Sequence, residues 1–473
     1  MRRLVPLLVF ATACTAGSDP TTTTTTTAGT ETSAAGGTVD IEIIPPSSGP
    51  TEVAPAPDIP DGEVDESVQK ALEDVLVGVQ TGAFESESLE PVVAAADPRV
   101  AWFLADLLRF VQTGQESLAI SSAFTRITGA ALDNDGHPLF VPAFDNLFAW
   151  DLPAWSGYEA LKRRLYTAVE PGWDAFFIEN VSLDWRYVTW GGVLIDARPF
   201  PATEPCPGGC IPALDNPATT DAEGGDWYPD DAVVFGVVVG DEAIAFPKNQ
   251  MQVHEMVNLT LGGRRLGIPY CTLCGSAQAY LTDSVPSGFD TAVLRTSGLL
   301  SRSNKVMYDL ESGSVLDTFT GEARTGPLAE AGVVLEQVSV VASRWGDWKQ
   351  AHPNTRIVAE DGGIGRLYAP DPLGGRDDDG PIFPVGPVDP RLSVHDPVIG
   401  VVYEGTAYSF AVAELESALP LGPVGVDGLE VIADGSGFRV EGPDGELPTH
   451  ESFWFAWSQF HPETLLVRVT VPG

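Results

Sequence analysis

Apolar residues recur at helical spacing in the first third of the chain. Between Asp65 and Gly82 valines and a leucine mark one face, and the glycine ends the pattern. Three further runs of this kind follow, one of them opened by the helix-start pair Asp97 and Pro98. The pattern predicts an α-helical domain over residues 65–177, built from solenoid-like helical hairpins.

From about residue 178 the apolar runs become short and are separated by glycine and proline. Such runs are typical of β-strands. We therefore predict a β-rich mixed domain over residues 178–473. The whole chain is then an α+β multidomain protein, and its 473 residues agree with more than one hydrophobic core.

Two stretches of the β-rich half occur twice, in the same order. The pairs are "VFGVVVGDEAIAFP" (234–247) with "VIGVVYEGTAYSFA" (398–411), and "WGDWKQAHPNT" (345–355) with "WFAWSQFHPET" (454–464). The order predicts an internal duplication with copies at about 234–358 and 398–467. The first copy is longer, and its additional residues contain a Cys-x-x-Cys sequence that the second copy lacks.

That sequence, "GIPYCTLCGSAQAY", places Cys271 and Cys274 before a glycine and between two β-like flanks. A turn of this kind between strands is typical of a metal knuckle, in which two thiolates bind the ion. The alternatives are a redox dithiol and a structural disulfide. A thioredoxin-type dithiol would begin a helix, whose N-terminus lowers the thiol pKa, so the β-like flanks favour the knuckle.

A third ligand for such a knuckle is found in "NQMQVHEMVN", where His254 lies between two methionines. Imidazole with two thiolates suits Zn²⁺, whereas an added thioether suits Cu(I). We therefore predict one Zn or Cu ion at Cys271, Cys274 and His254, with Glu255 as a weaker candidate. The alternative is that His254 and Glu255 only cap a helix.

The first residues resemble an export signal. Arg2 and Arg3 precede an apolar run that is too short to span a bilayer as a helix, which predicts a signal peptide over residues 1–13. Small residues directly before Cys14 resemble a bacterial lipobox, so we predict that Cys14 is lipidated. The alternative is an ordinary cleaved signal with a spare cysteine.

Residues 14–64 are rich in threonine, proline and glycine and include seven consecutive threonines. Such a segment buries too little apolar surface to fold, so we predict a disordered tether behind the lipid. The protein is then an exported, membrane-anchored bacterial lipoprotein that faces away from the cytoplasm. In that compartment the remaining four cysteines are an even number, and we predict a disulfide between Cys206 and Cys210.

The net charge of -40 limits the partners. A chain with this charge repels the phosphate backbones of nucleic acids and anionic membrane lipids. We therefore expect no nucleic-acid binding, and we expect membrane contact only through the lipid attached at the N-terminus. The ligand or protein partner is not specified by the charge.

Several motifs together carry a family resemblance. They are the first repeated stretch with the histidine that follows it, "YCTLCGSAQAY", "SGLLSRSNKVMYDLESGS", "WKQAHPNT" and "FWFAWSQFHPET". Over about residues 160–467 the chain resembles the bacterial domain of unknown function 3179 family. The chain departs from the family pattern at Thr272, where proline is usual, and at Leu259, where aspartate is usual. Cys206 and Cys210 lie in a local insertion and not in a family-wide site.

The resemblance implies an architecture and no activity, because the family has no established one. From the residues we predict an exported binding protein whose Cys271–Cys274 turn holds a metal ion or a structural disulfide. The alternative is an oxidoreductase or metal-dependent enzyme that uses the same pair. Whether the protein is an enzyme is left open.

Overall fold

The computed structural model describes residues 39–46, 54–133, 136–178, 182–202, 204–206, 208–376 and 380–471. The predicted signal peptide, Cys14 and the first part of the predicted tether lie outside these residues. The described chain is a mixed α/β protein with several sheets. Its helices include none that combines the length and apolar character needed to cross a membrane.

In the described residues, six α-helices follow the first strand, and the other five lie between strands in the rest of the chain. The helices are α1 (Glu66–Thr81), α2 (Glu90–Ala95), α3 (Ala101–Phe110), α4 (Gln115–Thr128), α5 (Phe140–Trp150), α6 (Tyr158–Val169), α7 (Lys248–His254), α8 (Gly326–Glu330), α9 (Trp345–Ala351), α10 (Val412–Ala418) and α11 (Trp454–Phe460). The strands are β1 (Asp40–Ile44), β2 (Val188–Trp190), β3 (Leu214–Asp215), β4 (Thr219–Asp221), β5 (Val233–Val239), β6 (Glu242–Pro247), β7 (Met256–Leu261), β8 (Arg264–Cys271), β9 (Ser276–Ala277), β10 (Ala279–Leu281), β11 (Leu294–Ser301), β12 (Asn304–Asp309), β13 (Val315–Asp317), β14 (Glu336–Val338), β15 (Val341–Arg344), β16 (Arg356–Val358), β17 (Pro397–Tyr403), β18 (Thr406–Ala411), β19 (Val424–Val426), β20 (Leu429–Asp434), β21 (Gly437–Gly442), β22 (Gly445–Leu447), β23 (His450–Phe453) and β24 (Leu465–Thr470).

Helices α1–α6 occupy the region predicted to be helical. The Asp65 carboxylate accepts the backbone N–H of Ser67 and starts α1, and Gly82 ends that helix in the left-handed conformation at φ 71°. The buried faces of these helices share one core with Leu299 and Tyr308 of the sheet β13-β12-β11-β2. The helical region therefore packs against the β-rich region. The solenoid arrangement and the domain boundaries stay predictions.

Two five-stranded sheets have the same strand order. The orders are β15-β5-β6-β16-β4 and β23-β17-β18-β24-β1. In each sheet the second and third strands form an antiparallel hairpin. The first strand pairs antiparallel with this hairpin, and the fourth pairs parallel with it. In the first sheet, the Trp348 indole N–H donates to Thr355 Oγ1 at 2.9 Å. In the second, Trp457 donates to Thr464 Oγ1, also at 2.9 Å.

One part of the predicted tether is ordered. Asp40–Ile44 forms β1, which pairs antiparallel with β24 at the edge of the second of these sheets. The expectation of disorder over residues 14–64 therefore does not hold for these five residues. The edge of β24 offers backbone hydrogen-bond partners, and the segment can use them because it alternates isoleucine with acidic residues.

The additional residues of the first repeat form the layer that carries the two cysteines. Strands β7 to β14 lie between α7 and β15 and build the sheet β14-β10-β8-β7-β3, with β9 paired to β8, together with most of the sheet β13-β12-β11-β2. The remaining sheet is the meander β19-β20-β21-β22.

Candidate functional site

The Cys-x-x-Cys sequence forms a tight turn between two antiparallel strands. Strand β8 ends at Cys271, which pairs directly with Ser276 of β9. Gly275 has a φ of +60°, and a Cβ at this position would lie 2.9 Å from the ring of Phe453. Glycine is therefore required by both the backbone conformation and the space. The predicted strand–turn–strand geometry is confirmed.

The two sulfurs lie within hydrogen-bond distance of each other and are not joined by a disulfide. Their Sγ atoms are 3.1 Å apart, and both side chains are buried. The backbone N–H of Lys305 donates to Cys271 Sγ at 3.4 Å. Cys274 Sγ lies 3.3 Å from Asn304 Oδ1 and 3.5 Å from the carbonyl oxygen of Ser303. The pair is thus held by strand β12 from one side.

Hydrogen bonds lower the pKa of the Cys271 thiol despite its burial. Burial and the charge of Glu255 raise its pKa, whereas the hydrogen bonds from the Cys274 thiol and from the Lys305 N–H lower it, and the net direction is below the ordinary value. A hydrogen bond to a thiolate favours the charged form. The thiolate is the reactive form of cysteine, so this geometry favours nucleophilic chemistry at Cys271.

A buried ion pair lies next to the turn. Lys305 Nζ is 3.1 Å from Glu255 Oε2, and the two side chains are only 6% and 12% exposed. Glu255 Oε1 also accepts the hydroxyl of Thr272, at 3.1 Å, which ties the pair to the turn. Burial lowers the pKa of Lys305, and the Glu255 carboxylate opposes that shift.

A loop segment and a helix close the site from outside. Ser303 Oγ donates to the carbonyl oxygen of Pro384, and Val385 packs in the same buried cluster as the two cysteines. The Asp145 carboxylate of α5 accepts the N–H groups of Val385 and Gly386 at 2.9 and 2.7 Å. The helical region therefore helps to hold the segment that covers the thiols.

The structure does not bring His254 to the two sulfurs. Its Nδ1 lies 2.8 Å from the carbonyl oxygen of Pro212, and its Nε2 lies 2.7 Å from the Tyr368 hydroxyl. Because a carbonyl only accepts, Nδ1 carries the proton and Nε2 accepts from the tyrosine. Both ring nitrogens are therefore engaged elsewhere, and the predicted third metal ligand is corrected on this ground.

The other predicted pair lies in a separate place. Cys206 and Cys210 form a disulfide with a Cα–Cα distance of 5.5 Å, as expected for the insertion. With Asp196 they form the one group of three potential metal ligands that lie close together among the described residues. The cysteine ligand of a metal ion is the thiolate, which a disulfide lacks. This group could therefore bind a metal only after the Cys206–Cys210 disulfide is reduced.

The burial of His254 predicts a pH dependence of stability. Burial lowers its pKa to about 4, well below that of an unfolded histidine. Between pH 6.5 and 4, His254 is protonated in the unfolded chain and neutral in the folded chain. The stability that depends on neutral His254 is therefore fully present above pH 6.5 and is lost as the pH falls to 4. The loss for this residue is about 3 kcal/mol.

The measurement is urea unfolding at several pH values. We expect His254→Gln to flatten the fall in the free energy of unfolding between pH 6.5 and 4, whatever its effect at pH 7. His137→Gln, at an exposed position, is the control and should keep the slope of the parent chain. An unchanged slope in His254→Gln would contradict the assignment.

Sequence reasoning missed Asn304 and Lys305. Lys305 is one of only five lysines in the chain and lies in the short run "SNKVMY". A charged residue directly before the apolar residues of a strand was the one feature of the sequence that could have indicated its role. Nothing in the spacing indicated that β12 lies beside the turn, because that contact depends on how β12 and β8 approach each other in space.

The sequence profile of the family described as Protein of unknown function (DUF3179) matches residues 208–441. The match confirms the resemblance, and it includes the Cys271–Cys274 turn, Glu255, and the strand that carries Lys305. It excludes α1–α6 and the last strands of the second repeat. A search of curated proteins and a search of solved structures found no match. The chain is thus similar to a family of unknown function, and its activity must be argued from the site.

Proposed function

We propose that Cys271 and Cys274 are a redox-active dithiol, and that the protein is an oxidoreductase in which this pair alternates between two thiols and one disulfide. The observation that carries the proposal is the 3.1 Å distance between the two sulfurs. A disulfide bond is about 2.05 Å long, so a movement of about 1 Å joins them. Oxidation releases two electrons and two protons from the pair, and reduction returns them.

The charges around the pair support this chemistry. Cys271 Sγ accepts the Lys305 N–H, which stabilises a thiolate at the position where a nucleophile is needed. The Lys305 ammonium and the Glu255 carboxylate provide a buried proton donor and acceptor next to the turn. The second repeat contains no lysine and no cysteine.

A metal ion held by the two thiolates is the second candidate, and the knuckle-like form of the turn favours it. Two Zn–S bonds of about 2.3 Å in a tetrahedral site would separate the sulfurs by about 3.8 Å, more than the distance found. Among the described residues, no His, Asp or Glu joins the two cysteines in a group of closely placed ligands. The lysine ammonium also opposes a bound cation.

The experiment treats the purified full chain with excess reduced or oxidised dithiothreitol, followed by alkylation and peptide mapping. We expect Cys271 and Cys274 to be alkylated after reduction and protected after oxidation. In Cys271→Ser, Cys274 should be alkylated under both conditions. Stoichiometric Zn or Cu in the untreated protein, lost in Cys271→Ser, would instead favour the metal site.

The proposed setting is an exported lipoprotein anchored through Cys14, facing away from the cytoplasm, and without nucleic-acid partners. The Arg-Arg start, the short apolar run and the net charge of -40 support this setting. Release of Cys14→Ser from the membrane fraction tests the anchor.

We also propose that the two repeats arose by duplication and that the dithiol layer was inserted in the first copy. The shared strand order and the matched Trp348–Thr355 and Trp457–Thr464 hydrogen bonds support this origin.

A further inference from the structure

A lysine and an aspartate are buried together between two helices of the helical region. Asp106 of α3 and Lys162 of α6 both have fully buried side chains, and Lys162 Nζ lies 2.9 Å from Asp106 Oδ1. Charged side chains are seldom buried completely, because removing two charges from water costs free energy even when they attract each other. The dithiol site uses neither residue, so the pair needs an explanation of its own.

Two tyrosines hold the carboxyl group of Asp106. The Tyr158 hydroxyl donates to Oδ2 at 2.8 Å, and the Tyr166 hydroxyl donates to Oδ1 at 2.9 Å. Burial raises the pKa of both tyrosines well above the ordinary value, so the hydroxyls stay protonated and act as donors. Two donors on one carboxyl group stabilise negative charge on its oxygens, which makes its carbon a better target for a nucleophile.

The surroundings of Lys162 Nζ suit a neutral amine. The carbonyl oxygens of Trp185 and Val188 accept hydrogen bonds from Nζ at 2.8 and 2.6 Å. A neutral amine has two hydrogens and one lone pair, so with both hydrogens donated to these carbonyls the lone pair is left for Asp106. Burial lowers the pKa of Lys162 and raises that of Asp106, and the attraction between the two side chains opposes both shifts.

We propose that Asp106 and Lys162 condense to form an isopeptide bond that joins α3 to α6. The amine is held against a carboxyl group that carries two hydrogen-bond donors, which replaces a collision in solution by a fixed geometry. The site is closed to solvent, so water is kept from reversing the reaction. This modification lies outside the dithiol layer and does not depend on the proposed redox function.

The reaction needs no oxidant, reductant or further reactant. Lys162 Nζ donates to the Tyr158 hydroxyl at 3.0 Å, and this hydroxyl donates to Asp106 Oδ2, so Tyr158 connects the two groups as a proton relay. One proton passes from the ammonium to Oδ2 and leaves an amine and a carboxylic acid. The amine lone pair attacks Cγ and a C–N bond forms. A second proton passes from nitrogen to Oδ2 by the same route, the C–Oδ2 bond breaks, and one water leaves.

The test is tryptic digestion of the purified full chain, unfolded and with its disulfides reduced, followed by mass spectrometry. Asp106 lies in the tryptic peptide 100–109, and Lys162 ends the peptide 127–162. An isopeptide bond blocks cleavage after Lys162. We therefore expect a linked product of 100–109 and 127–163 whose mass is the sum of the two peptides minus one water, and fragmentation should place the link at Asp106 and Lys162.

Tyr158→Phe tests the proton relay, because it keeps the ring and removes the hydroxyl. General acid–base catalysis contributes about 10²–10⁴-fold, so we expect the link to form at least about a hundredfold more slowly. The freshly purified variant should give unlinked peptides that convert to the linked product during incubation. The control is Tyr280→Phe, which removes another fully buried hydroxyl, bonded to the Thr318 carbonyl oxygen, and should be linked like the parent chain.

A parent chain that yields only the free peptides 100–109 and 127–162 would overturn the proposal and show an ordinary buried ion pair. A Tyr158→Phe chain that is linked as fast as the parent would overturn the relay. Asp230 and Lys349 are an internal comparison, because their atoms lie 2.7 Å apart while the side chains are 70% and 24% exposed. We expect no link there. An equal yield of linked product from that pair would contradict the role given to burial and the two tyrosines.

Discussion

Replacing Lys305 by methionine should lower the free energy of unfolding by about 3–5 kcal/mol, because it leaves the Glu255 carboxylate buried without its partner. The two side chains are 6% and 12% exposed and lie 3.1 Å apart. The double variant Lys305→Met, Glu255→Gln should recover most of the loss, since it removes both charges. Urea unfolding at pH 7 gives the three free energies.

The control is Lys349→Met, which breaks the more exposed pair between Lys349 and Asp230, with side chains 24% and 70% exposed. Exposed pairs contribute about 0–1 kcal/mol, so this variant should be nearly as stable as the parent. A double variant at the site that is no more stable than Lys305→Met alone would show that the lysine acts through other contacts.

Replacing Trp348 or Trp457 by alanine should each cost about 3–5 kcal/mol, the range for truncating a buried tryptophan. Each indole packs on a glycine of its own hairpin. A Cβ added at Gly236 would lie 2.4 Å from the Trp348 ring, and one at Gly400 would lie 2.1 Å from the Trp457 ring. The two residues therefore fill equivalent positions, and similar costs are expected.

Urea unfolding of both variants and of Trp150→Ala provides the comparison. Trp150 is only partly buried at the end of α5, so its truncation should cost less than either of the other two. Because Trp348 and Trp457 lie in separate clusters of buried residues, their costs should add in the double variant if unfolding stays two-state. A large effect at one tryptophan and a small one at the other would argue against equivalent positions.

The sequence predicted local features better than long-range ones. Helix α1 follows from the apolar face between Asp65 and Gly82, and the turn at Cys271 follows from β-like flanks and a glycine. Strand β1 did not follow, because its partner β24 lies more than 400 residues further along, and no local pattern encodes that pairing. Its five residues also lie in a segment whose composition elsewhere favours disorder.

The site shows the same limit on a smaller scale. His254 and Glu255 are neighbours, and both were candidates for the cysteine site, but α7 ends between them and Glu255 adopts a left-handed φ of 50°. That turn directs Glu255 to Thr272 and His254 to Tyr368. Sequence proximity identified the right segment, and only the backbone geometry shows which of the two side chains faces the cysteines.

The identity of the site as a dithiol depends on atoms that sequence spacing does not place. The turn form alone agrees with a metal knuckle, a dithiol or a disulfide. The distance between the sulfurs, the Lys305 N–H on Cys271 and the ion pair behind the turn favour the dithiol. The N–H group and the ion pair depend on Lys305 of β12, a strand that no spacing rule connects to the Cys-x-x-Cys sequence.

The most direct test of the redox dithiol is an equilibrium titration of the native full chain in buffers of reduced and oxidised dithiothreitol, with the state of Cys271 and Cys274 read by alkylation and mass spectrometry. We predict one reversible transition of two electrons, in which the ratio of disulfide to dithiol changes tenfold for about 30 mV. The same chain with Cys274→Ser should show no transition at these positions. A native protein whose Cys271 and Cys274 keep one state across the whole range would contradict the account.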